Sequence, residues 1–402
     1  MNNFLKRTII LLFIIILIIA FSSSYQSLSI DNLAFVVALG IDTSDTQNVK
    51  VTFEFSNASP AGESSGGQQS KTSFSTVDAT SLTSAINIIN AYMEKKVNLS
   101  HCKIIVFSEE FAEKGVSDEI YSLMNDIQIR PSANIVISKC DAKYYIEKSE
   151  PNLENIITNY YQIFPNSSEY TGYTADATIG NFFNNLMSSS SEPYAILGGI
   201  SATSNYDGIT DDSIIANHTP VAGTKLSENI GLAVFKNDML VGELNSMETV
   251  SFLNVTNKSN AFLISIAAPD DAESYVDLYL IPDKRTKVKV DIINGTPYIK
   301  LKCKFKAKVY SMSENSNYLS KDSLDNLVNS CNSYLESNFS SYLYKTSVEF
   351  NSDINGFGKY SFYDFSTTRE FEDFKWLSNY KNSVFDVNVD TIVDSGASLT
   401  QT

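Results

Sequence analysis

Two hydrophobic periods alternate along the chain. Residues 33–41 ("LAFVVALGI") and 49–57 ("VKVTFEFSN") are apolar or alternating runs joined by the polar turn "DTSDTQN", and they predict two strands. From 81 to 96, Leu82, Ile86, Ile89 and Met93 recur at helical spacing. "CKIIVFS" reads as a short buried strand. The next helix carries Phe111 and then Ile120, Leu123 and Met124, with a break at Gly115. "ANIVIS" gives another strand, and 152–161 another helix. These elements make a mixed α/β unit over residues 25–200. Within it, 58–72 is Ser-, Gly- and Gln-rich and reads as a loop. The Ser-, Asn- and Gly-rich stretch 164–225 reads as loop-rich, ending in a linker at 201–225.

The pattern then changes. "GLAVFKNDMLVGEL" predicts a hairpin around Asn237-Asp238. Strands are expected near 260–267, 273–281, 285–293 and 297–310. A long helix follows at 321–343, with Leu324, Leu327, Cys331, Leu335, Phe339 and Tyr342 on one stripe, and "DVNVDTIV" is a late strand. Residues 226–402 therefore read as an α+β domain with a mostly antiparallel sheet and a long helix. The fold class of the whole chain is α+β and multi-domain.

One strand differs from the rest. In "YIKLKCKFKAKVY", Lys300, Lys302, Lys304, Lys306 and Lys308 alternate with Leu301, Cys303, Phe305, Ala307 and Val309. Period two puts the lysines on one face. With Lys284, Arg285, Lys287 and Lys289, nine of the 30 basic residues fall within 25 positions. Such a ladder makes a solvated, aggregation-resistant sheet face. It also makes a candidate interaction face for an acidic partner or anionic headgroups.

The N-terminus carries Lys6 and Arg7 ahead of an apolar run, Ile9 to Phe21, of 13 residues. That length fits the core of a signal peptide and is short for a spanning helix. Residues 1–24 are read as a signal peptide or a single N-terminal membrane anchor, which places the body outside the cytoplasm.

Composition narrows the chemistry. A net charge of -16 disfavours nucleic acid as a partner. The two histidines, His101 and His218, exclude a multi-histidine metal site within one chain. Cys102, Cys140, Cys303 and Cys331 form no CxxC pair and read as small buried hydrophobes; a Cys102–Cys140 disulfide is left open. Ser100 and His101 are adjacent, and neighbours on a strand point to opposite faces, which separates a nucleophile from its base. "DTSDTQN" lacks the Gly and final Glu of a calcium loop. "GESSGG" has no following Lys-Ser/Thr to cradle phosphate. Glu109-Glu110 open a helix, where negative charge is favourable. The chain reads as no enzyme, with no catalytic residue, metal or cofactor.

Five stretches in order, "SIDNLAFVVALGID", "NLSHCKIIVFSEEFAEKG", "DIQIRPSANIVIS", "GLAVFKNDMLVGELNSMET" and "DINGFGKY" with the residues after it, resemble the Ger(x)C family, the C subunits of spore germinant receptors. "SIDNLAFVVALGID" is similar to the start of the mature proteins through Ile30, Leu33, Ala34, Gly40, Ile41 and Asp42. "NLSHCKIIVFSEEFAEKG" matches through Leu99, Ser100, His101, Glu109, Glu110, Ala112 and Gly115, and "DIQIRPSANIVIS" through Asp126 and Arg130. "GLAVFKNDMLVGELNSMET" resembles the family's Gly-x-Ala-Val-Phe and Val-Gly-x-Leu-x-x-x-Glu-Thr. "DINGFGKY" through Trp376, Phe385 and Gly396 resembles its ending. The family's lipid-bearing cysteine falls on Ser24, whose hydroxyl cannot form the lipid thioether. The resemblance implies an unlipidated extracytoplasmic C subunit on the outer face of the spore inner membrane. Its partners would be A and B membrane subunits, in a receptor that triggers germination in response to nutrients. The alternative is a free or membrane-anchored extracytoplasmic small-ligand-binding protein.

Overall fold

The computed structural model describes residues 3–22, 30–46, 48–56, 72–149, 154, 156–201, 213–221, 227–269, 271–312 and 321–393. Ser24, Gly396, residues 58–71 and most of 201–225 lie outside them. Helix α1 (Asn3–Ser22) carries the apolar run, and its side chains from Phe4 to Leu17 are exposed. Among the described residues no helix is long and apolar enough to cross a membrane.

The first sheet is built on β1 (Leu33–Thr43), β2 (Val49–Ser56), β3 (Thr72–Ala79), β4 (Lys96–Asn98), β5 (Ile104–Ser108), β6 (Asn134–Ser138), β7 (Tyr194–Ile200), β8 (Ser227–Lys236) and β9 (Met239–Leu244). Its order is β3-β2-β1-β5-β6-β7-β8-β9, with β4 beside β1. The centre, β1-β5-β6-β7, is parallel, and antiparallel strands flank it on both sides. Parallel strands need crossovers, and these bring helices onto both faces. One face packs against α2 (Leu82–Tyr92), α3 (Glu109–Lys114), α4 (Ser117–Asn125) and, further on in the chain, Ile179 and Phe182. The other packs against α5 (Ala142–Lys148) and α6 (Ile157–Ile163). Asp42 at the end of β1 holds α5 in place: its two carboxylate oxygens accept from the N–H groups of Ala142 (2.7 Å) and Lys143 (3.0 Å).

The stretch read as loop-rich contains α7 (Ile179–Leu186) and β7, whose seven residues are all buried. Its glycines are fitted to their neighbours. A Cβ on Gly198 would lie 2.6 Å from Val136 Cγ1 and 2.9 Å from Tyr145. The composition that suggested a loop serves a close approach of helix to strand. Likewise, Ser100 and His101 sit in a turn after β4, not on a strand, and His101 stacks on Phe35 at 4.4 Å.

The hairpin at Asn237-Asp238 forms, with Asn237 at φ 53°. Ala233 and Phe235 share one core and Leu232 and Val234 the other. β8 pairs onto β7 and β9 onto β8, so this hairpin, assigned above to residues 226–402, belongs to the first sheet.

The second sheet has the order β10-β11-β12-β13, from β10 (Phe262–Ala268), β11 (Asp271–Ile293), β12 (Thr296–Met312) and β13 (Val384–Val393). The strands expected at 273–281 and 285–293 are one 23-residue strand, β11. Register shifts between Pro282 and Lys287 mark where it bends without ending. The first three strands are antiparallel, and β13 joins parallel to β12. Helix α8 (Ser246–Val255) lies between the sheets, and α9 (Lys321–Tyr344) covers one face of the second through Leu327, Cys331, Leu335 and Phe339. Met247 and Val250 of α8 enter the core of the second sheet, while Phe252, Leu253 and Val255 enter the core shared with the first. The shared core also takes Val290, Ile299 and Leu301 from the second sheet and Phe357 and Trp376 from the tail. All four cysteines are free, three of them buried.

Candidate interaction face

The five ladder lysines lie as their alternation requires. Along β12, Leu301, Cys303, Phe305 and Ala307 are buried, while Lys300, Lys302, Lys306 and Lys308 are exposed and Lys304 is half-buried. The buried side meets α8 and α9, and the other side is uncovered among the described residues.

Pairing enlarges the ladder into a patch. Across β11–β12, Lys284 stands opposite Lys304, Lys287 opposite Lys302, and Lys289 opposite Lys300. Like charges directly opposite each other oppose pairing. Countercharge comes partly from β13, where Asp386, Asn388 and Asp390 lie in register beside Lys300, Lys302 and Lys304. Lys304 Nζ is 2.6 Å from Asp390, Lys306 2.9 Å from Asp283, and Lys289 2.6 Å from Asp291. The bonded aspartates push the pKa of Lys304 and Lys289 up, and Lys306 pulls that of Asp283 down. Lys287, Lys300, Lys302 and Lys308 make no salt bridge among the described residues. Thus the ladder is neutralised at one edge and at its bend, and keeps a basic centre.

Beyond Lys308 the same face turns aromatic. Tyr275 and Tyr310 are exposed, and Tyr279 packs on Tyr310 at 5.8 Å. The β13 aspartates and these tyrosines were missed in the sequence. The alternating Asp386, Asn388 and Asp390 in "DVNVDTIV" were the available signal, since they repeat the period of the lysines.

A second polar feature fixes how the tail meets the first sheet. Asp353, in the "DINGFG" segment, is fully buried; its Oδ2 accepts from Trp376 Nε1 (2.8 Å) and the Gly358 N–H (3.0 Å). Its carbonyl accepts from the N–H of Glu192, whose carboxylate accepts from the Asn237 N–H (2.7 Å). Ser352 Oγ donates to the Phe235 carbonyl at 2.5 Å. Burial pushes the carboxyl of Asp353 up to about 6 and that of Glu192 up to about 7. Glu248 completes a capping box with Asn245 at the start of α8 and pairs with Lys345 at 2.8 Å, beyond the end of α9. These contacts hold the tail against the first sheet and α8 against the end of α9, with Asp353 bonded through Oδ2 and its Oδ1 left without a hydrogen bond among the described residues. Among the described residues no cluster of His, Cys, Asp and Glu is arranged to hold a metal.

Comparison with known proteins divides the chain between β7 and β8. The family model described as spore germination protein N-terminal domain matches residues 26–198. That described as spore germination B3/GerAC like, C-terminal, matches 230–396. No curated protein matches. Among solved structures, the crystal structure of the GerBC protein superposes with a TM-score of 0.50 at 16% identity, covering 88% of this chain and 96% of that one. At that identity the likeness is one of fold.

Proposed function

The chain belongs to the Ger(x)C family of spore germination proteins, and from that premise we propose that it is the extracytoplasmic C subunit of a nutrient germinant receptor. It assembles with A and B membrane subunits on the outer face of the spore inner membrane and has a docking role rather than a catalytic one. The observation that carries the docking reading is the basic centre of the second sheet. Three lysine pairs stand opposite each other across β11 and β12 in a chain of net charge -16. An acidic partner surface relieves that repulsion. Electrostatic complementarity of this kind governs encounter rate and orientation more than raw affinity.

The experiment is charge reversal of Lys287, Lys300 and Lys302 to Glu, followed by co-purification with the A and B subunits. The variant keeps its fold and loses salt-sensitive association. Undiminished association at low salt overturns the docking role of this face. Retention through α1 without lipid is tested separately, by mass spectrometry of the mature N-terminus from spore membranes. A diacylglyceryl adduct, or a soluble chain cleaved near Ser23, contradicts it.

A further inference from the structure

We propose that the cleft between α7, the end of α8 and the 354–360 segment binds a small carboxylate anion with a short apolar tail. The cleft is about 390 Å³, within the roughly 300–1,000 Å³ of small-ligand sites. Three distant parts of the chain build it: the first sheet's α7 and Tyr194, the second unit's Val255 to Lys258 with Val288, and the tail.

Its charge is opposite to that of the molecule. The described residues lining it include two lysines, Lys258 and Lys359, and no aspartate or glutamate, in a chain with 46 acidic and 30 basic residues. Neither lysine makes a salt bridge among the described residues. Lys258 is held in place: its Nζ donates to the Tyr194 hydroxyl at 2.5 Å and lies 4.9 Å from that ring's centroid and 5.4 Å from that of Phe252. Asp176 feels its charge from outside the cleft, which lowers a carboxyl pKa that burial raises. Asn181, Asn184 and Asn185 add amides along one wall.

The rest of the lining chooses between anions. Val255, Val288 and Ile354 form an apolar wall that a bare inorganic ion leaves unused. The described lining has no arginine, the side chain that best matches phosphate with paired donors. Two ammonium groups, several amides and an aliphatic wall suit a carboxylate with a few carbons behind it. A ligand bound to both Lys258 and Lys359 would tie the end of α8 to the tail.

Trp376, the chain's one tryptophan, reports on the site. Its indole donates to Asp353, and it packs on Tyr380, which packs on Phe357 of the cleft wall. The test is titration of the full chain with sodium butyrate at constant ionic strength, reading Trp376 fluorescence and melting temperature, with chloride and phosphate as controls. Butyrate is expected to saturate at concentrations on the order of millimolar, the range for so small a ligand. Lys359→Glu weakens it at least about tenfold, Lys359→Arg retains it, and Lys95→Glu, at an exposed position outside the cleft lining, leaves it unchanged. Lys258→Met serves as a second cleft variant. A butyrate effect no larger than chloride's, an equal effect of phosphate, or binding that survives both Lys359→Glu and Lys258→Met overturns the proposal. None of these outcomes depends on the A and B subunits, so failure here and failure of the receptor reading are separable.

Discussion

The two sheets solve the same packing problem differently. At the centre of the first, β5, β6 and β7 are buried at every residue, because helices or the second unit cover both faces. In the second, β12 is buried at alternate residues, because α8 and α9 cover one face and, among the described residues, nothing covers the other. A two-sided strand commits every side chain to packing. A one-sided strand leaves half its positions to carry charge, and this chain fills them with lysine.

The comparison predicts a steep difference in sensitivity. Phe235→Ala, in a fully buried position of β8, should cost about 3–5 kcal/mol by chemical denaturation. A loss below about 1 kcal/mol would show that the first sheet tolerates what its packing forbids. On β12 two neighbours give the sharpest contrast. Leu301→Ala should cost about 2–5 kcal/mol, whereas Lys302→Ala should stay within about 0.5 kcal/mol of the parent. Equal effects would erase the distinction between the faces.

The buried carboxyls predict a pH dependence of comparable size. Glu192 and Glu54 titrate near 7 and Asp353 near 6, all raised by burial above ordinary carboxylates. Glu192 is faced by Asp353 and Lys236, Asp353 by Trp376, Gly358 and Tyr380, and Glu54 by Tyr161 and Thr72. Because the folded pKa values are the higher ones, the folded chain holds protons that the unfolded chain has released between about pH 4 and 7. Stability therefore falls as pH rises through that window. Glu192 alone accounts for roughly 3 kcal/mol. Denaturation midpoints at pH 5 and pH 8 measure the fall, and Glu192→Gln should reduce it while Glu54 and Asp353 keep the remainder; a flat profile in the parent refutes the assignment. The smallest effect is a gain. Lys287→Gln removes one like-charge pair across β11–β12 and should stabilise by a few tenths of a kcal/mol, with the gain shrinking in high salt.

What the sequence made legible followed the same division. Helix α9 was read almost to its ends, because one face is apolar and the others polar. Helix α8 was not read, because nine of its ten residues are buried and burial on all sides leaves no period to detect. The lysine ladder was visible because its strand has one wet face. Strand β7 was hidden because its glycines look like a loop's, and only the nearness of Val136 and Tyr145 explains them. The Glu192–Asp353 contact joins residues far apart in the chain, and no local pattern announces such a pair. In the cleft, Lys258 and Lys359 are ordinary surface lysines until folding brings them into one lining.

The placement of β8 and β9 bears on how the chain can be divided. The first family match ends at residue 198 and the second begins at 230, so the sequence invites expression of two halves. The sheet does not respect that cut. A fragment ending at residue 200 would present β7, apolar along its whole length, as an unpaired border, the kind of edge that recruits other chains and aggregates. Inheritance and folding therefore draw different boundaries here: the segment that is recognised as a module is completed by strands from its neighbour, and a soluble N-terminal half has to extend through Leu244.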